Sequence, residues 1–171
     1  NLVTIDFFDK DHPVIEPVDF DFASCGHALC IIDSGADHAD PTDEYAAVPG
    51  EMKAVAAALG TAVLRETNET ALIAAIPALR ETVGDRAILR AFHFVDETRR
   101  VVDAVNGLKN DDLNAFFAAV IGSGESSWKL LQNLHVESSD NQEMPLALEM
   151  SRRMLSGKGA WRIHGGGFAG T

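Results

Sequence analysis

The chain ends in a glycine-rich segment, W-R-I-H-G-G-G-F-A-G-T, at residues 161–171. Its glycines are Gly165, Gly166, Gly167 and Gly170. Glycine loses more conformational freedom on folding than any other residue, so a run of them needs a structural or functional reason. Consecutive bare amides can form a cradle for an anion. The segment matches neither G-x-x-x-x-G-K-[ST] nor G-x-G-x-x-G, so a tight turn at a strand end and an anion-binding loop both stay open.

Composition indicates a folded, acidic protein. The 171 residues are 46% hydrophobic and 23% charged, and the formal net charge is -12. A chain of this length can bury a core of its own. The negative charge argues against binding to nucleic acid or to an anionic membrane, which attract basic proteins. No apolar run approaches the roughly 18 residues that span a bilayer.

The two cysteines, Cys25 and Cys30, lie five residues apart. On one strand, side chains at this spacing would point to opposite faces, so we expect no disulfide between them. Free cysteines are typical of a reducing compartment, and we therefore expect a cytoplasmic protein.

Three early segments have the pattern of β-strands. Residues 2–7 alternate apolar and polar side chains, and residues 14–18 form a second short strand in which Pro17 predicts an edge or a bulge. The acids between them, such as Asp9, have the pattern of turn residues rather than of a metal site. Residues 27–32 are the most apolar run, which predicts a buried central strand that ends in a polar loop, D-S-G-A-D-H.

Helical periodicity covers most of the remaining chain. The predicted helices have apolar faces at residues 52–59, 72–83, 85–108, 113–121 and 145–154, with stops at Gly60 and near Gly84. Residues 122–127, G-S-G-E-S-S, predict a helix interruption, although their composition is also that of a phosphate loop. A last short strand is expected before the glycines. The order of elements predicts one α+β domain over residues 1–171, with an antiparallel sheet and helices mainly on one face.

The longest predicted helix carries a polar pattern, R-A-x-H-x-x-x-E-x-x-R, that begins at Arg90. Side chains three and four residues apart are neighbours on a helix, so His93, Glu97 and Arg100 can touch one another. A network of ion pairs that stabilises the helix is one interpretation, and a catalytic His–Glu pair is the other.

Taken in order, these segments resemble the galactokinases, which are members of the GHMP family of small-molecule kinases. The matching features are the strand pair, the strand that ends in D-S-G-A-D-H, the D-E-Y that ends at Tyr45, the R-A-x-H-x-x-x-E-x-x-R helix and the terminal R-I-H-G-G-G-F-A-G. The terminal segment is similar to the family's third signature, G-G-G-F-G-G. The resemblance spans nearly the whole chain, but it corresponds to only the C-terminal half of such an enzyme.

The resemblance implies a parent enzyme that transfers the γ-phosphoryl group of ATP, with Mg²⁺, to the anomeric hydroxyl of galactose. It implies the ferredoxin-like C-terminal domain of the GHMP kinases, with residues 1–20 as the end of an N-terminal lobe that is otherwise missing. Tyr45 would contact the sugar. Support of the nucleotide phosphates would fall to Gly165, Gly166, Gly167, Phe168 and Gly170. The implied partners are galactose, ATP and the missing lobe, and no metal ligand is assigned to this chain.

The chain also departs from the family pattern. The catalytic aspartate, the main phosphate loop and the early sugar motif of the family all precede the segment that corresponds to residues 2–7. We therefore expect no catalytic residue here and no activity of this chain alone. Ala169 stands where the family has glycine, and residues 46–52 lack the arginines common there, which indicates a divergent branch. The first residue is Asn and the chain stops within the glycine segment, as expected for a fragment.

Three alternatives to a galactokinase lobe follow from the same features. One is a galactokinase-like sensor that binds sugar and ATP and acts through a protein partner. Another is a kinase for N-acetylgalactosamine or a different small alcohol. The third is an α+β interaction domain in which the glycine segment is only a turn.

Overall fold

The computed structural model describes residues 2–35, 42–134, 140, 142–165 and 167. Two strands come first in this part of the chain, β1 (Leu2–Asp6) and β2 (Val14–Val18). The α-helices that follow are α1 (Thr42–Ala58), α2 (Glu69–Thr82), α3 (Asp85–Lys109), α4 (Leu113–Ser126) and α5 (Glu143–Leu155). A short 3-10 helix at Leu64–Glu66 precedes α2. One π-helical turn, Ser127–Leu131, extends α4 and is called the π-turn below.

The helix ends follow from local sequence. Asn68 caps α2 by accepting a hydrogen bond of 2.9 Å from the amide of Ala71, and Asp112 caps α4 in the same way. Gly60 and Gly84 adopt the positive φ values, 76° and 84°, that favour glycine. The predicted helices and their stops are therefore confirmed.

The strand pair is also confirmed. β1 and β2 form an antiparallel hairpin in which Val3 pairs with Pro17 and Ile5 with Ile15, and the register has no bulge. β2 contacts α3, and Val18 is its buried residue. Side chains alternate between the two faces of a strand, so Val3, Ile5 and Ile15 share the face opposite Val18. All three are exposed.

The predicted central strand at residues 27–32 is wrong. This segment forms no strand, and its apolar side chains are exposed, with Leu29 at 91%. A strand needs a neighbour for its backbone hydrogen bonds, and in the described residues β1 and β2 pair only with each other. Residues 36–38 of the loop predicted to follow lie outside the described residues.

The predicted final strand is wrong for the same reason, since residues 159–164 have no strand partner in the described part of the chain. The antiparallel sheet is thus a two-stranded hairpin, and the α+β class holds only in this coarse sense, with helices predominating. The predicted burial of residues 27–32 is wrong as well, because Leu29, Ile31 and Ile32 are all exposed.

The core lies between α1, α2 and α3. Its buried residues are Val55, Ala56, Leu64, Leu72, Leu79, Ala87, Ile88 and Ala91. α3 is the central helix, since it contacts α1, α2, α4 and the π-turn. A second, smaller cluster consists of Leu134, Met144 and Ile163. It joins the end of the π-turn and the start of α5 to the segment that precedes the glycines.

The predicted interruption of the fourth helix at residues 122–127 is wrong, because α4 continues through Ser126 into the π-turn. Its glycines instead allow close approach. A Cβ at Gly124 would lie 3.2 Å from both the Cα of Arg162 and the carbonyl oxygen of Trp161. A Cβ at Gly122 would lie 3.2 Å from Nε of Arg100.

Both cysteines are free thiols, as predicted. The acidic turn between the strands is also as predicted, because a carboxylate oxygen of Asp9 accepts hydrogen bonds from the amides of Asp11 and His12. No helix in the described ranges has the length and apolar character that a membrane span requires.

Candidate functional site

The segment that leads into the glycines is held against the helices. Ile163 is buried in the cluster with Leu134 and Met144, and the backbone of Trp161 and Arg162 packs against Gly124. Contact of this kind fixes the path of a chain that has no strand or helix of its own. The first glycines therefore start from a defined position.

Gly165 and Gly167 have nearly the same φ, at 75° and 76°. Their surroundings differ. A Cβ at Gly165 would meet nothing within 4 Å, whereas a Cβ at Gly167 would collide with the carbonyl oxygen of Asn133 and lie 2.6 Å from its Nδ2. The segment thus has free space beside Gly165, whereas Gly167 is packed against Asn133. Of the other predicted loop residues, Gly166, Phe168 and Gly170 lie outside the described residues.

Asn133 belongs to the end of the π-turn. Gln132 leaves that turn in the left-handed conformation, with φ 60° and ψ 45°, and Asn133 follows as a buried residue. The reversal at Gln132 directs Asn133 and Leu134 back towards the terminal segment. Asn133 contacts Gly167, and Leu134 packs with Ile163.

Hydrogen bonds between polar side chains connect α3 to α4 beside this site. Glu97 accepts a hydrogen bond of 2.8 Å from Nη1 of Arg100 and one of 2.6 Å from Oγ of Ser123. His93 is buried, and its Nδ1 lies 2.9 Å from Oγ of Ser126. The ion-pair interpretation is therefore confirmed for Glu97 and Arg100, whereas His93 bonds across to α4.

Burial lowers the pKa of His93 below its ordinary value of 6.5. The carboxylate of Glu97 acts in the opposite direction, and the guanidinium groups of Arg100 and Arg162 lower the pKa further. Desolvation penalises the charged imidazolium, so the neutral ring is favoured in the folded protein. A neutral, buried ring between two helices has the properties of a structural group.

Comparison with known proteins gives consistent relatives. No protein-family model matches the chain. A galactokinase of Mycobacterium tuberculosis (strain ATCC 25618 / H37Rv) is 31% identical over 167 residues, which is 98% of this chain and 42% of the relative. A galactokinase of Glaesserella parasuis serovar 5 is 27% identical over 145 residues, 85% of this chain and 36% of the relative. The chain is thus a homologue of galactokinases and corresponds to a C-terminal fragment of them. It spans about two fifths of the length of the curated relatives it matches.

The remaining predicted site residue is Tyr45, which lies near the start of α1 with 57% of its surface exposed. Pro49 follows within the same helix and has no N–H to continue the helical hydrogen bonds. The proline separates the turns that carry Tyr45 from the buried part of α1 around Val55. Tyr45 and the glycine segment are thus on different elements.

The sequence analysis did not identify the residues that pack against the glycine segment of this chain. Asn133 is a single polar residue that follows the π-turn and Gln132. No periodic pattern in the sequence predicts its contact with Gly167, 34 residues further on. Arg90 was recognised as part of the polar helix pattern, but its complete burial was not predicted. Its position directly before the buried Ala91, within an apolar face, was the available signal.

The described part of this chain shows no metal site. Those residues contain no group of three or more His, Cys, Asp or Glu side chains placed to hold an ion. Asp96 and Glu97 of α3 are instead paired with arginine side chains, and Glu97 also accepts a hydrogen bond from Ser123. No metal ligand is assigned to this part of the chain.

Proposed function

We propose that this chain is the C-terminal lobe of a galactokinase, an enzyme that transfers the γ-phosphoryl group of ATP to the anomeric hydroxyl of galactose. The product is galactose 1-phosphate. The observation that carries the proposal is the match to galactokinases over 98% of the chain. Because the chain spans 42% of their length, the rest of the machinery is expected on the other part of the polypeptide.

The glycine segment is the proposed contribution of this lobe to nucleotide binding. Gly165 offers backbone with open space beside it, and Gly167 is supported from behind by Asn133. Backbone in this arrangement suits a phosphate, because a bare amide can approach the oxygens closely and needs little reorganisation when it binds them. We assign this role to Gly165, Gly166, Gly167, Phe168 and Gly170. ATP supplies the phosphoryl group, and this lobe helps to hold it in place.

Tyr45 is the proposed sugar contact. Its ring is more than half exposed near the start of α1, and a tyrosine combines an apolar ring with a hydroxyl that can donate or accept a hydrogen bond. Both properties suit one face and one hydroxyl of a sugar. Mg²⁺ would reach the site with ATP, and its protein ligands are proposed outside this lobe.

Residues 1–20 are proposed as the end of the N-terminal lobe, and the remainder of that lobe would cover the exposed apolar surface nearby. Exposed apolar side chains in this early part of the chain include Val3, Ile5, Ile15, Leu29, Ile31 and Ile32. A large apolar area on a folded domain usually marks a site of contact. Without the other lobe the chain would have no catalytic base, so we propose that it is inactive alone. The setting proposed for the full-length protein is the cytoplasm.

The test is release of ADP by the full-length polypeptide that carries this chain. Mg-ATP is supplied with galactose, N-acetylgalactosamine, glucose or no sugar. Turnover confined to galactose is the expected result, and turnover confined to N-acetylgalactosamine would overturn the choice of substrate. Absence of turnover together with binding of both galactose and ATP, measured by calorimetry, would replace the kinase by a sensor.

The proposed inactivity of the chain alone is tested in the same assay. The purified chain is compared with the full-length protein at equal concentration, with galactose and Mg-ATP. We expect ADP release at the rate of the sample without protein. Galactose-dependent ADP release above that rate would place a complete active site within these 171 residues and would refute the proposal.

A further inference from the structure

Arg90 is the largest fully buried side chain in the described part of the protein, with 1% of its surface exposed. Its Nη1 donates a hydrogen bond of 2.8 Å to Oε2 of Glu51. The other carboxylate oxygen of Glu51 accepts from Nε and Nη2 of Arg86, at 2.9 and 2.6 Å. A buried charge is expensive unless it is paired and hydrogen-bonded, and Glu51 provides that pairing from α1.

The Nε of Arg90 makes a second contact in a different direction, a hydrogen bond of 3.1 Å to the carbonyl oxygen of Leu131. Leu131 is the last residue of the π-turn, and the last carbonyls of any helix have no donor within that helix. The end of a helix also carries partial negative charge, which a cation stabilises. Arg90 therefore caps the π-turn from the neighbouring helix.

The capped end leads directly to the glycine segment. Asn133, two residues after Leu131, lies against Gly167, and Leu134 packs with Ile163. A continuous set of contacts thus runs from Glu51 through Arg90 and the π-turn to Gly167. Arg90 and Asn133 are buried, and Glu51, Leu131 and Gly167 are partly buried.

We infer that Arg90, held by Glu51, is a positioning residue for the glycine segment: it fixes the end of the π-turn, and with it Asn133, on which Gly167 rests. This inference deepens the proposed function and rests on it for the role of the segment in nucleotide binding. Lysine cannot replace Arg90 here, because its single ammonium group lacks the rigid fork that reaches Glu51 and Leu131 in two directions.

The first experiment measures the structural link without any activity. Backbone amide hydrogen exchange is compared between the unmodified chain and the variants Arg90→Lys and Glu51→Gln. Asn133 and Leu134 report on the end of the π-turn, and the buried Leu72 and Leu79 of α2 report on general stability. The control is Arg99→Lys, on the same helix, whose arginine is exposed and pairs with Asp96 at the surface.

We expect exchange at Asn133 and Leu134 to accelerate about 10-fold more than at Leu72 and Leu79, the effect of losing one charged hydrogen bond. The control should leave all four amides unchanged. Equal acceleration at all four positions would mean that Arg90 only stabilises the fold, and no acceleration at Asn133 would remove the link. Either result overturns the inference. Glu51→Gln provides the same comparison if Arg90→Lys does not fold.

The second experiment measures the consequence for nucleotide binding in the full-length polypeptide. Arg90→Lys should raise the KM for ATP about 10-fold through a displaced glycine segment, with the KM for galactose within about twofold of the unmodified value. An equal rise in both KM values would overturn the positioning role. If the unmodified polypeptide has no kinase activity, the proposed function fails, and hydrogen exchange alone decides whether Arg90 positions the segment.

Discussion

Gly167 lies against Asn133 so closely that a side chain of any size at position 167 would overlap the Asn133 carbonyl oxygen. Gly165, two residues earlier, has the same φ within about one degree, yet its Cβ position is empty. The two glycines therefore separate two effects that usually occur together. One is the strain of a side chain at positive φ, and the other is the absence of space.

The pair leads to a direct prediction for Gly165→Ala and Gly167→Ala. Both variants should lose about 1 kcal/mol of unfolding free energy, because alanine is strained in the left-handed region. Gly167→Ala should lose about 1–3 kcal/mol more, the typical cost of overpacking a filled site. Urea denaturation measures the difference. Equal losses, with an unchanged chemical shift of the Asn133 amide in both variants, would contradict the contact.

The glycines of α4 provide a second matched pair. Alanine is favoured over glycine within a helix by about 1 kcal/mol. At Gly122 the new methyl group would meet only the flexible side chain of Arg100, so Gly122→Ala should be neutral or stabilising. At Gly124 it would meet the backbone of Trp161 and Arg162, which cannot move freely.

We expect Gly124→Ala to be less stable than Gly122→Ala by about 1–2 kcal/mol, as in other overpacked sites. Thermal unfolding of the two variants under the same conditions is the measurement. If Gly124→Ala proves as stable as Gly122→Ala, the terminal segment does not pack on α4 as described.

These glycines also show what the sequence could and could not predict. Helix positions depend on neighbouring residues: the apolar faces predicted α2 and α4, and the caps Asn68 and Asp112 lie directly before these helices. The glycines of α4 predicted an interruption, because a glycine that breaks a helix and one that admits another backbone look the same in a sequence. Only the packing of Trp161 on Gly124 distinguishes the two.

Contacts between distant segments were beyond the sequence for a related reason. The run at residues 27–32 is apolar enough for a central strand, but a strand also needs partners, and composition does not provide them. Likewise the glycine segment was identified from its own residues, whereas its support by Asn133 and the link from Arg90 to Leu131 join elements far apart in the chain. Such contacts exist only after the helices have packed.

His93 predicts a dependence of stability on acid. Its pKa in the folded state is below the unfolded value of 6.5, chiefly through burial, so between these two values the unfolded chain binds more protons than the folded one. The contribution of His93 to the unfolding free energy is therefore fully present above about pH 6.5. It decreases as the pH falls from there to the folded-state pKa. Below that pKa the contribution of His93 is lost.

The comparison is between the unmodified protein and His93→Gln, with urea denaturation from about pH 8 to about pH 5. The unmodified protein should lose more unfolding free energy over this range than the variant, because glutamine does not titrate. NMR titration of the His93 ring provides the independent value. A ring pKa at or above 6.5 would contradict the burial of a neutral imidazole between α3 and α4.

The hairpin provides a last prediction, on how this chain meets the rest of the polypeptide. Val14 and Ile15 are neighbours in β2 and almost equally exposed, at 59% and 58%, but they lie on opposite faces. Val18 shares the face of Val14, and β2 contacts α3, so the face of Ile15 is the one that the proposed N-terminal lobe would cover. Threonine at either position keeps the β-branched shape that suits a strand.

In this chain, both Val14→Thr and Ile15→Thr should change the unfolding free energy by less than about 0.5 kcal/mol, as is usual for exposed positions. In the full-length polypeptide, Ile15→Thr should cost about 1–2 kcal/mol, because a methyl-rich side chain would be exchanged for a hydroxyl in a buried contact. Val14→Thr is the control and should stay near zero in both proteins. If Ile15→Thr costs the full-length protein no more than it costs this chain, the proposed N-terminal lobe does not pack on the apolar face of the hairpin.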